Sequence, residues 1–234
     1  MSTPKGDSFV VLFATIVCLV CSILLATAAS SLKTAQDYNV ELDRRLNVIK
    51  AFGVPTRGED GKKISSSAID KYFADNISEI WVDGTTGEEV ASREDAKEPL
   101  QLFVWREDGK ITKYAFPISG KGLWSTIYGY MSLDADLSTI IGATFYKHGE
   151  TAGLGAEIEK DWFQNNWKGK KVFEDGKRLH FEVTKGRVSD KYPNGNDHAV
   201  DGISGATLTG NGVTRFVNAD LDKYEAYFKL HRGT

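Results

Sequence analysis

Cysteine is nearly absent from this sequence. The 234-residue chain has two, Cys18 and Cys21, both inside one apolar run, and none from residue 30 onward. The main body therefore needs no disulfide and cannot hold an iron–sulfur cluster with its own thiolates. The C-x-x-C spacing invites a redox or metal reading, yet no second ligand pair exists, and cysteine serves readily as a small apolar residue in a membrane span. Proline is scarce at 5 residues against 23 glycines, which suits glycine-punctuated strands better than a helical bundle. An excess of basic charge is also lacking. The formal net charge is −3, and no basic stripe interleaves with aromatics, so nucleic acid is not an expected partner. There is no internal repeat and no low-complexity tail.

What is present begins with a long uncharged run. Residues 8–29, SFVVLFATIVCLVCSILLATAA, carry no charge, and the next charge after Asp7 is Lys33. About 22 residues at a 1.5 Å rise reach about 33 Å, enough for a hydrocarbon core of about 30 Å. A cleaved signal peptide is the competing reading, with Ala26-Thr27-Ala28 as an A-x-A site. The apolar run exceeds a usual signal-peptide core, which favours an uncleaved transmembrane helix. Lys5 and the free amino terminus favour a cytoplasmic short end and place residues 30–234 across the membrane.

The expected organisation is a short cytoplasmic end (1–7), a transmembrane helix (8–29), a stalk and linker (30–64) and an extracytoplasmic domain (65–234). Residues 30–50 read as helix, 53–63 as a turn-rich linker and 65–77 as a short helix with Ser65 to Ser67 offering N-cap oxygens. Strands are expected at 77–84 and 100–110, with Asp108-Gly109 turning a hairpin into KITKYAFPI. Residues 122–134 alternate, Leu123, Ile127, Met131 and Leu133 on one face and Trp124, Thr126, Tyr128 and Tyr130 on the other. A further strand over 138–149 sets Ile141, Ala143 and Phe145 to one side. Residues 156–170 read as a helix ended by Gly169 and 177–188 as a strand. Val213, Phe216, Val217, Leu221, Tyr224 and Phe228 then recur at helical spacing. The expected fold is α+β: a twisted, largely antiparallel sheet flanked by helices, behind one N-terminal transmembrane helix.

Three stretches could carry chemistry. DGISGATLTG (201–210) enters the last helix with hydroxyls at Ser204, Thr207 and Thr209. Capping is the commonest use of such hydroxyls. The alternative is presentation of one hydroxyl at a helix end whose free N–H groups favour phosphate, with Gly205 and Ala206 keeping bulk away. The stretch lacks the P-loop lysine. His198, Asp201 and Ser204 lie too close together in one loop to suggest a hydrolytic triad. KHGETAGLGAEI (147–158) is either a glycine turn with a solvated Glu150 or a tight loop against a flat ligand. In the second case Thr151 and Glu150 would hydrogen-bond and Leu154 would present an apolar face. His148 reads as a surface or structural histidine. In SGKGLWSTIYGY (119–130), Trp124, Tyr128 and Tyr130 are core by default or the wall of an aromatic cofactor.

Taken in order behind one membrane helix, DRRLNVIKAFG, GKGLWSTIYGY, FYKHGETAGLGAEI, WKGKK and VDGISGATLTGNGV resemble the C-subunit family of the sodium-translocating NADH:quinone reductase. The related G subunit of the Rnf-type ferredoxin:NAD reductase is the alternative; the match over 147–158 and the stalk over 30–50 favour the C-subunit family. The resemblance implies one FMN carried covalently on Thr207 through a phosphoester. It also implies a flavin transferase that reads D-x-x-[ST]-[GS]-A-T, matched here by Asp201, Ser204, Gly205, Ala206 and Thr207. Further implied flavin contacts are Ser204, Gly205, Ala206, Leu208, Glu150, Thr151, Leu154, Gly155 and Trp124. Ala152 stands where the family's E-T-P-G-L-G loop has proline. The implied role is an electron-transfer subunit, inactive alone, in the inner membrane with its main domain periplasmic. It would work beside the reductase's B subunit and its membrane-embedded D and E subunits and would need no metal.

Overall fold

The computed structural model describes residues 5–58 and 61–232, without the side chains of Lys5 and Asp7. Residues 1–4 of the expected cytoplasmic end, and 59–60 of the expected linker, lie outside the described residues. The chain forms two compact units, residues 1–44 and 45–234.

The first unit is most of one 47-residue helix, α1 (Lys5–Ala51). It is long and apolar enough to cross a membrane. Its apolar side chains from Phe9 to Leu25 are exposed along the helix. Three of its hydroxyls bond back to the helix: Thr15 donates to the Val11 carbonyl, Thr27 to Ile23 and Ser31 to Ala28. Such back-bonding satisfies a hydroxyl where no water is available. Cys18 and Cys21 are free thiols on this helix.

The second unit begins within α1. It continues through α2 (Ser66–Asn76), β1 (Ile77–Asp83), β2 (Glu89–Val90), β3 (Pro99–Glu107), β4 (Lys110–Lys121), β5 (Thr126–Asp134) and β6 (Ile140–Lys147). After these come a 3-10 turn (Gly155–Glu159), α3 (Asp161–Asn165), β7 (Phe173–Glu174), β8 (Lys177–Arg178), β9 (Glu182–Val183), α4 (Val188–Lys191), β10 (Ala199–Val200), α5 (Thr207–Lys223) and α6 (Glu225–His231). The main sheet runs β2-β1-β3-β4-β5-β6 with every pair antiparallel. The α+β expectation holds.

Two helical layers cover the sheet. On one face Phe116 of β4 meets Tyr224 at 4.7 Å between ring centroids, and Gly120 lies under Phe216 of α5. On the other, Phe103 and Trp105 of β3 meet Phe73 of α2 and Phe52, which follows α1. Val48, Ile49 and Ala51 are buried there, and Ser132 donates to the Ala51 carbonyl, so the end of α1 belongs to the sheet domain.

Local signals named several elements correctly. Ser65 caps α2 by accepting from Ala68 N–H, and Asp108-Gly109 turns β3 into β4 with φ of 51° and 78°. Other segments differ from the expected pattern. Leu123 and Trp124 are not on β5; they form a hairpin loop closed by Gly122 N–H on the Ser125 carbonyl. In β6 an irregularity after Ser132 pairs Leu133 with Ile140, which enters the core while Ile141 turns to the other face beside Gly53.

The expected helix over 156–170 is broken at Lys160, whose backbone is extended. Ile158, Phe163 and Trp167 do not share one helical stripe, and the break buries all three. The expected strand over 177–188 divides into β8 and β9. Between them Asn218 of α5 accepts from Phe181 N–H and donates to its carbonyl, taking the place of a neighbouring strand.

Candidate functional site

The site is built on Glu150, in the loop after β6. Its carboxylate accepts from the backbone N–H groups of Leu123, Trp124 and Ser125 at 3.3, 3.0 and 3.3 Å. It also accepts from the Thr209 hydroxyl at 2.6 Å. Four donors from two distant segments thus converge on a carboxylate that is only 8% exposed. Burial alone would raise its pKa; the Thr209 hydroxyl and the three N–H groups outweigh that and hold it below the usual carboxylate range. Glu150 is therefore neither solvated nor open to a ligand through those lone pairs.

Glycines let the three segments meet. A methyl at Gly122 would lie 2.7 Å from Glu150 Oε1, and one at Gly155 would lie 2.6 Å from Thr209 Oγ1. A methyl at Gly212 would strike the Lys121 carbonyl at 2.5 Å. Hairpin 122–125, loop 150–155 and the start of α5 are packed backbone to backbone.

Thr207 is the first residue of α5, and the cap position is Ala206, with no side-chain hydrogen bond. Neither Ser204, Thr207 nor Thr209 caps the helix, so the capping reading fails and the first-turn N–H groups remain available. Thr207 is half-buried and Ser204 is exposed, whereas Thr209 is 1% exposed. Gly205 has φ +75°, and a methyl there would lie 2.8 Å from Leu154 Cδ2, so Leu154 packs over Gly205, two residues before Thr207. Leu154, Leu208 and Trp124 are 42%, 59% and 65% exposed. Apolar side chains held in water around an open helix end suit a flat, apolar group that carries an anion. Thr151 is exposed, and its carbonyl accepts from Leu154 and Ala156 N–H, which shapes the glycine loop.

Asp201 accepts from Val188 N–H at 2.7 Å, and Gly202 N–H donates to the Gly186 carbonyl at 2.7 Å, fixing the entry of the loop. His198 is held at the Lys171 carbonyl and near Glu174, away from any nucleophile role with Ser204. His148 is structural: its Nδ1 accepts from Glu150 N–H, and its Nε2 lies 3.5 Å from Glu159. Tyr130 is buried against Phe103 and stacked on Tyr146, so it is core and not a cofactor wall. No group of His, Cys, Asp and Glu among the described residues could hold a metal ion.

Thr209, on sequence alone one of three hydroxyls in 201–210, is the one buried at the site. Its signal was its register: it precedes Val213 and Phe216 on the core-facing stripe, where a polar side chain needs a buried partner.

Residues 122–222, which enclose all three segments, match the FMN-binding domain family. The chain is 33% identical over 215 residues to the C subunit of the Na(+)-translocating NADH-quinone reductase of Vibrio vulnificus, covering 83% of each chain. It is 31% identical to the C subunit of the Pseudomonas aeruginosa reductase, covering 100% of this chain and 99% of that one.

The chain belongs to the C-subunit family of the sodium-translocating NADH-quinone reductases.

Solved structures agree. The C subunit of Parabacteroides distasonis superposes with a TM-score of 0.71 at 33% identity, over 84% of this chain and 96% of that one. Shewanella oneidensis NqrC gives 0.68 at 27% identity, over 83% and 97%. In this member of the family, the FMN-binding match starts at the glycine under Glu150 and ends near the last turn of α5, so the Glu150 cluster lies inside it.

Proposed function

We propose that this protein is the electron-transfer subunit of a sodium-pumping NADH:quinone reductase, carrying one FMN joined covalently through its phosphate to the Thr207 hydroxyl. The observation that carries the reading is the start of α5, where Thr207 follows Gly205 and Ala206 on an uncapped helix end. Unpaired N–H groups there oppose the charge of a phosphate. Leu154, Leu208 and Trp124 offer apolar surface for a flat ring system, and the exposed Ser204 and Gly205 carry no bulky side chain to block its approach. When bound, FMN supplies electron-carrying chemistry that no side chain here could supply. The chain holds the phosphate, walls the ring and fixes the loops through Glu150.

A separate flavin transferase would read Asp201, Ser204, Gly205, Ala206 and Thr207. The Asp201–Val188 hydrogen bond gives that pattern a fixed shape. The relatives are subunits of a multi-subunit reductase, so we assign this chain the same setting: the B subunit as electron acceptor, the D and E subunits in the membrane, and no activity alone. The apolar part of α1 would anchor it in the cytoplasmic membrane, with the FMN-bearing domain on the periplasmic side.

The test is expression of the full chain with and without the transferase, followed by a denaturing gel viewed for flavin fluorescence. A fluorescent band that needs the transferase and vanishes in Thr207→Ala supports the reading. A colourless chain in its presence, or an undiminished band in Thr207→Ala, contradicts it and favours a noncovalent ligand-binding module.

A further inference from the structure

We infer that Glu150 and Thr209 are positioning residues that select Thr207 for attachment by fixing the rotation of the first turn of α5. The inference rests on the reading that Thr207 takes FMN. Thr209 is 1% exposed, and its hydroxyl is spent on Glu150 Oε2 at 2.6 Å. Each helical residue advances about 100°, so pinning Thr209 inward turns Thr207 about 200° away from it, toward the open side. Leu208, between them, is exposed.

The rotation has little slack. Gly155 leaves no space beside Thr209 Oγ1, and a methyl at Gly210, one residue on, would already lie 3.2 Å from Val183 Cγ1. The carboxylate is itself held from behind by three N–H groups of hairpin 122–125. The same bond that makes Thr209 unavailable for modification therefore presents Thr207. Glu150 acts through Thr209, and its oxygens already accept from the protein, so it is not assigned a direct flavin contact.

The test compares Thr209→Val and Thr209→Ser in the full chain with the transferase. Valine keeps the shape and removes the donor; serine restores it. The rate of flavin attachment is expected to fall about tenfold or more in Thr209→Val and to recover to near wild type in Thr209→Ser. The visible circular dichroism of flavin that does attach to Thr209→Val should also differ from wild type. Wild-type rate and dichroism in a folded Thr209→Val chain overturn the inference. If that variant shows no thermal transition, Glu150→Gln takes its place, with the same loss expected and wild-type behaviour contradicting it. Absence of flavin from the wild-type chain would instead overturn the attachment reading itself, and this inference with it.

Discussion

The Thr209 hydroxyl donates a 2.6 Å hydrogen bond to Glu150 Oε2 across 59 residues of sequence. That bond joins the glycine loop after β6 to the helix that begins at Thr207. With the three backbone bonds from hairpin 122–125, it makes one carboxylate the meeting point of the site.

A pH dependence follows from that carboxylate. The Glu150 pKa is held below its ordinary value of 4.5 in the folded chain. A depressed carboxylate stabilises the fold above its unfolded pKa, and that stability is lost as pH falls through the folded value. Melting temperature measured downward from pH 4.5 should therefore fall more steeply for wild type than for Glu150→Gln. Parallel profiles would show that Glu150 contributes no such linkage.

Gly205→Ala should damage the site more than the fold. The residue sits at φ +75°, and its new methyl would crowd Leu154 Cδ2 at 2.8 Å. A left-handed non-glycine residue costs about 1–2 kcal/mol. Flavin attachment should drop while the thermal transition remains cooperative. Attachment at wild-type yield would remove Gly205 from the approach to Thr207.

Gly212→Ala tests the packing of α5 on the hairpin. Its methyl would lie 2.5 Å from the Lys121 carbonyl, a backbone atom that cannot swing aside. Overpacking of this kind costs about 1–3 kcal/mol. The urea midpoint should fall accordingly, and amide exchange at Trp124 and Ser125 should quicken as the helix lifts. An unchanged midpoint would contradict the close approach.

Phe116→Ala tests the core under the α5–α6 junction, at the opposite end of α5 from Thr207. Phe116 is fully buried between Tyr224 and Phe228. Loss of about 3–5 kcal/mol is expected for such a truncation. A change below about 1 kcal/mol in chemical denaturation would mean that Tyr224 and Phe228 do not rest on this ring.

Much of this was legible from local chemistry. Asp108-Gly109 and Ser65 act through their own backbone neighbourhood, so sequence alone identifies them. The stripe from Val213 to Phe228 is legible because one buried face imposes the helical period. The break at Lys160 and the division of 177–188 were not, because they depend on partners far along the chain. Phe181 takes its hydrogen bonds from Asn218, and Gln164 donates to the carbonyls of Phe145, Ile158 and Glu159. The register of Thr209 on the core-facing stripe was legible, but its pairing with Glu150 was hidden for the same reason, since it forms only when loop 150–155 and α5 are side by side.

The most direct test of the central claim is the mass of the proteolytic peptide containing Thr207, taken from the full chain matured with the transferase. The account predicts the added mass of FMN, less one water, with fragmentation placing it on Thr207 and not on Ser204 or Thr209. An unmodified peptide, or the added mass on either of the other two residues, would contradict it.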